Sequence, residues 1–148
     1  MKNKIILLSF SFFLTIGYGF AQKKTMPKSI ISETATIKKY HNKEELDRMQ
    51  KGELIELYVE RVGSLVKILP YVAFATKPGV TMATFGIPND KDNRKALEDQ
   101  VEATNDFLEQ TNEFQKGYLP FTDTGNIVSS ILFYEEILKL LHEYSDYH

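Results

Sequence analysis

From Glu53 onward, apolar and charged positions alternate with a helical period. Advancing about 100° per residue from Leu54 places Leu57, Tyr58, Val62, Leu65, Ile68, Leu69 and Val72 on one broad arc. Ile55 and Val66 extend that arc, while Glu53, Glu56, Glu60 and Lys67 fall opposite. The pattern predicts an amphipathic helix with its apolar side on a core. Pro70 lies inside the pattern. A proline removes a backbone donor and presses its ring on the carbonyl four residues back, so a helix ends or kinks there. The apolar phase continues through Val72 and Ala73 toward Thr76, which favours a kink, and Pro78-Gly79 then ends the run. A kink would carry Phe74 over one end of the molecule, so Phe74 and Phe85 are expected to meet there as a lid.

Two more long helices follow by the same criterion. Leu97, Val101, Thr104, Leu108, Thr111 and Gln115 recur at alternating spacings of four and three, widened by Phe107, Phe114 and Tyr118, and Glu98, Glu102, Glu109 and Glu113 lie opposite. This helix is expected to start at Asn89 or Asp90 and to stop at Gly117, ahead of Pro120. The last helix, capped by Thr122, Asp123 or Thr124, carries Ile127, Ile131, Tyr134, Ile137, Leu138, Leu141 and Tyr144 on its main face. Val128, Leu132, Phe133 and Leu140 lie off that face, so apolar surface covers most of the circumference. A helix of this kind is central in a bundle or covered by a partner. Phe133 and Leu140 are therefore candidates for contact with another protein or a second copy.

Two short helices complete the pattern. Asn42-Lys43-Glu44-Glu45 reads as a capping box opening a helix over 43–50, with Gly52 as the break before the next. Val80 to Pro88 reads as a single helical turn that Gly86 ends in the left-handed conformation, with Ile87 as the apolar residue after it. The fold class is thus all-α: a small antiparallel bundle of three long helices and two short ones. Residues 22–41 precede it as an extended or flexible arm, in which Ile31, Ala35 and Ile37 share one side if the chain is extended. The arm is a second candidate for docking on a partner.

The first residues change the picture of where the chain works. Lys2 and Lys4 precede an uncharged apolar stretch, and Gly19-Phe20-Ala21 offers small residues for cleavage before Gln22. That order is the pattern of a secretory signal peptide over 1–21. Export to a periplasmic or extracellular location follows as the expectation, with no membrane attachment after cleavage and a single domain over 42–148. There is no cysteine, so the fold relies on its core alone. Without Lys2 and Lys4 the 18 basic residues fall to 16, against 20 acidic ones, a balance that argues against nucleic acid as partner.

Candidate chemistry is sparse. Arg61 sits in the apolar arc between Ile68 and Leu54, and a buried arginine needs a partner. Glu135 lies at the edge of the last helix's apolar face, and His142 is two turns further along the same stripe. With Thr104 and Thr111 from the third helix, and Gln115 beside them, these residues define a possible polar seam. Such a seam is either a structural ion pair or a site for a small anionic ligand. It is the basis of a second functional reading, a small-ligand carrier or an enzyme without a familiar motif.

Metal binding is not expected: helix-bundle metal sites repeat Glu-x-x-His on two helices, and no such motif occurs. Met49 and His142 stand near the two ends of the domain, and in export, size and those two positions the chain resembles soluble b-type cytochromes with Met/His ligation. No motif accompanies the resemblance and the first helix is short, so Met49 is read as a core residue and no cofactor is expected. Hydrolase motifs built on Gly-x-Ser-x-Gly, cysteine or His-Glu-x-x-His are absent. No catalytic residue is assigned.

Overall fold

The computed structural model describes residues 26–144. The proposed export segment over 1–21 lies outside the described residues. Among the described residues the fold is all-α, with helices α1 (Lys43–Asp47), α2 (Lys51–Ile68), α3 (Lys91–Tyr118) and α4 (Thr124–Tyr144) joined by short 3-10 turns.

Local chemistry sets the helix ends. Asn42 Oδ1 accepts from Glu45 N at 2.9 Å while Glu45 Oε2 accepts from Asn42 N at 3.1 Å, the reciprocal capping box expected at α1. α1 ends at Asp47 rather than at residue 50, because the chain is recaptured early: Glu53 reaches back to the Gln50 amide at 2.8 Å and starts α2 at Lys51. Gly52 therefore lies in the first turn of α2 instead of marking the break. Asp90 caps α3 by accepting from Asn93 N at 2.8 Å. Asp123 opens α4 through its carboxylate on Gly125 N at 2.7 Å and its carbonyl on Asn126 N at 3.1 Å.

α2 and α3 end alike, in a Leu-Pro-aromatic 3-10 turn: Leu69–Tyr71 after α2 and Leu119–Phe121 after α3. α3 runs through Gly117 to Tyr118, so proline chemistry, not glycine, supplies the stop. Around Pro70, Leu69 and Val72 both keep right-handed helical angles, so the chain continues in one direction past the proline as a tighter turn. The 82–85 turn ends as expected, with Gly86 at φ 74° and Ile87 N bonded to Met82 O at 3.2 Å.

Contacts fix the helix directions. Glu56 pairs with Lys116 at 2.8 Å, and Lys67 shares a cleft with Thr104, so α3 runs antiparallel to α2. Leu54 and Ile55 pack with Ile127 and Ile131, and Leu65 and Ile68 pack with Leu138, so α4 runs parallel to α2. α3 and α4 each pack on α2 rather than on each other.

The core has two apolar clusters. One joins Leu46 of α1 to Leu54, Ile55, Ile127, Val128 and Ile131, with Met49 against it. The other joins Leu65, Ile68 and Leu138 to Ile31, Ala35 and Ile37 of the arm. The arm is thus part of the core. Its three apolar residues face inward as the extended pattern suggests, but around a 3-10 turn at Glu33–Ala35 that Ser32 caps through Thr34 N. Among the described residues its sheet-like contact is the isolated bridge between Ser29 and Thr81.

α3 contributes to neither cluster. It buries only Leu97 and Leu108, because its inward row alternates leucine with Thr104, Thr111 and Gln115 and offers little apolar surface to bury.

Candidate functional site

The polar seam forms between the two apolar clusters. Arg61 precedes Leu65 by one turn on α2, and Glu135 stands one turn from both Ile131 and Leu138 on α4. These positions bring the two side chains face to face. They are 1% and 0% exposed. Glu135 Oε1 accepts from Arg61 Nε at 2.9 Å and lies 2.8 Å from Arg61 Nη2. Arg61 Nη2 also donates to Lys39 O at 2.7 Å, and Nη1 lies 3.1 Å from Glu60 Oε1 at the rim.

His41, which the sequence pattern does not single out, completes the seam. Its backbone amide donates to Glu135 Oε2, and its Nδ1 lies 3.0 Å from Oε1. An ionised carboxylate only accepts, so Nδ1 carries the proton in that contact. The 3.4 Å approach of Arg61 Nη2 to the same nitrogen is then a packing contact between two donors. Both oxygens of Glu135 are bonded from α2 or the arm, as a buried carboxylate requires.

His142 does not join this group. Its Nδ1 pairs with the hydroxyl of Tyr40 at 2.8 Å, and the rings meet edge to face. Tyr40 is itself held above the ordinary tyrosine range by burial. The seam and the Tyr40–His142 pair thus clamp consecutive arm residues to α4. Nearby, Tyr58 and Tyr134 bring their hydroxyls to 3.3 Å, and burial with that bond pushes Tyr58 up to about 12.

The threonines lie elsewhere. Thr104 donates to Gln100 O of its own helix at 2.8 Å and lines a cleft with Ser32, Lys67 and Tyr71. Thr111 is half-buried on α3; neither hydroxyl reaches Arg61. Of the five candidates, Arg61 and Glu135 meet directly, His142 stands beside them through Tyr40, and Thr104 and Thr111 are separate.

The same geometry sets the pH response. Burial alone would raise the Glu135 carboxyl, but hydrogen bonds from His41 and the Arg61 guanidinium outweigh it and hold it below its ordinary 4.5. A carboxyl depressed on folding contributes stability that is complete above its unfolded value and is lost as pH falls through the folded one. The urea midpoint is therefore expected to fall as pH drops below the ordinary carboxylate range. Glu135→Gln should be less stable at neutral pH and should show a shallower acid decline; an equally steep decline in the variant would place the proton uptake elsewhere.

No family model, curated protein or solved structure matches the chain. Among the described residues no group of three His, Cys, Asp or Glu side chains is arranged to hold a metal ion, and no helix is long and apolar enough to cross a membrane. Met49 packs in the core.

The described surface with most to offer is apolar. On α4, Phe133 and Leu140, seven residues apart and so on one stripe, are 62% and 56% exposed. On α3, Phe107, Phe114 and Tyr118 are exposed along one side, with the last two rings 4.6 Å apart. Both stripes stay open because α3 and α4 each spend their buried face on α2.

Proposed function

We propose that this chain is an exported helical assembly module that docks through the exposed stripes of α3 and α4. The observation that carries the reading is the exposure of Phe133 and Leu140 on a helix whose apolar surface covers most of its circumference. Large apolar side chains grouped on a surface favour a partner. The simplest partner is a second copy of this chain, since an apolar stripe placed across a twofold axis meets itself. The closed packing of Arg61 and Glu135 supports this reading over a ligand carrier working at the seam, because a ligand there would have to displace Lys39 and His41.

Light scattering after size exclusion, over a concentration series, tests it. A mass above the monomer is expected to rise with concentration. Phe133→Asp together with Leu140→Asp should weaken association by at least about 2 kcal/mol, roughly thirtyfold, while leaving the thermal midpoint of the monomer nearly unchanged because both sites are exposed. A monomer at every concentration would refute self-association.

A further inference from the structure

We propose that a cleft beside the C-terminal end of α2 binds a small amphiphile, a molecule with an apolar body and one hydrogen-bonding head group. The cleft, of about 650 Å³, lies between residues 72–77, the 82–85 turn and Tyr144 of α4. Its size falls within the roughly 300–1,000 Å³ of small-molecule sites, which are mostly apolar with a few placed polar groups. Val72, Ala75, Val80 and the Phe74 and Phe85 rings supply apolar wall. The two rings do meet, 5.7 Å apart and edge to face, yet both remain about half exposed. Their contact is the one expected of a lid, and both rings line this cleft.

The polar group is Thr76. It is 4% exposed, lines this cleft, and its hydroxyl is buried with no hydrogen-bond partner. Buried hydroxyls are nearly always paired, since leaving one unmade forfeits the bond it had with water. A turn of the Thr76 side chain toward the cleft lets its buried hydroxyl donate to an accepting head group, an alcohol or a carboxylate, while the ligand's body covers the apolar wall.

The cleft is held open by the backbone. Phe74 N and Ala75 N both donate to Tyr71 O, at 2.7 and 2.8 Å, and Gly79 turns the chain back at φ 107°, where a side chain would be strained. The return limb is then tied to the arm, with Gly79 N on Ser29 Oγ at 2.9 Å and Ile30 N on Val80 O at 2.9 Å. A frame fixed in this way loses little entropy when a ligand enters.

Calorimetric titration of the purified chain with 1-decanol, and separately with decanoate, tests the proposal. Saturable one-to-one binding of at least one probe is expected. Thr76→Val keeps the shape and removes the hydroxyl, and should weaken binding about tenfold. Ala73→Trp, at an exposed residue of the wall, should abolish it by filling the space. If that variant does not give the parent circular dichroism spectrum, Phe85→Ala replaces it and must weaken binding by removing a wall. Phe133→Asp, on the docking face of α4, should bind as the parent does, which separates this site from the assembly surface. No saturable binding, unchanged binding in Thr76→Val, or unchanged binding in the wall variant would each overturn the proposal.

Discussion

Arg61→Ala is expected to lower the unfolding free energy by about 3–5 kcal/mol, measured by urea denaturation at neutral pH. The change leaves Glu135, fully buried, without its guanidinium, and strips donors from Oε1 and from the Lys39 carbonyl on the opposite side. The amide and ring of His41 still reach Glu135 but do not replace the bonds that the guanidinium made to Oε1 and to the Lys39 carbonyl. A domain of this size is held by only about 5–15 kcal/mol, so the variant should lie near its folding threshold. The double change Arg61→Met with Glu135→Leu should recover most of the loss, since a buried ion pair exchanged for apolar groups of similar volume costs little or gains. A single variant that unfolds at the parent midpoint would show the pair to be energetically idle.

Ile31→Ala should cost nearly as much, about 2–5 kcal/mol. Ile31 is 0% exposed and joins Leu65, Ile68 and Leu138 in one cluster, so truncation leaves a cavity against two helices. The control is Met26→Ala, in the same arm but 87% exposed, where a change within about 0.5 kcal/mol is expected. Equal, small effects at both positions would mean the arm contributes nothing to the folded core. Chemical denaturation with two probes, tyrosine fluorescence and far-ultraviolet circular dichroism, would also show whether arm and helices melt together.

The two effects illustrate where the sequence is legible. Helical periodicity places Arg61 in the apolar arc of α2 and Glu135 at the edge of that of α4, and the side chains do pair, because angular position on a helix carries over directly into three dimensions. His41 escapes the pattern. It lies in a segment without periodicity, and only the tertiary course of the arm brings it to Glu135. One signal for it did exist: a buried guanidinium has five N–H donors, more than one carboxylate can fill, so acceptors besides Glu135 were needed, and Glu60 supplies only one of them. Lys39 O is such an acceptor, and it brings His41 with it.

Other differences have the same origin. Thr104 and Thr111 share the inward face of α3, but α3 meets α2 on a different side from α4, and a helical wheel does not say which neighbour a face will meet. The arm's β-branched run forms no strand because none is available to pair with it among the described residues, and Ser32 turns it locally through its hydroxyl. At Gly52 and Gly117 the helices pass through glycine because Glu53 and Pro120 exert the stronger local effects. At Gly86 the left-handed turn agrees with the pattern, and the end of that element follows it.

The Arg61–Glu135 layer is proposed to be structural, and the outer apolar stripes to carry assembly. Sedimentation velocity of the Arg61→Met, Glu135→Leu double variant beside the parent tests it most directly. Both are expected to associate, with the same dependence on concentration, since the seam lies in the core and Phe133 and Leu140 are untouched. A folded double variant that remains monomeric where the parent associates would contradict it and place the function in the polar layer.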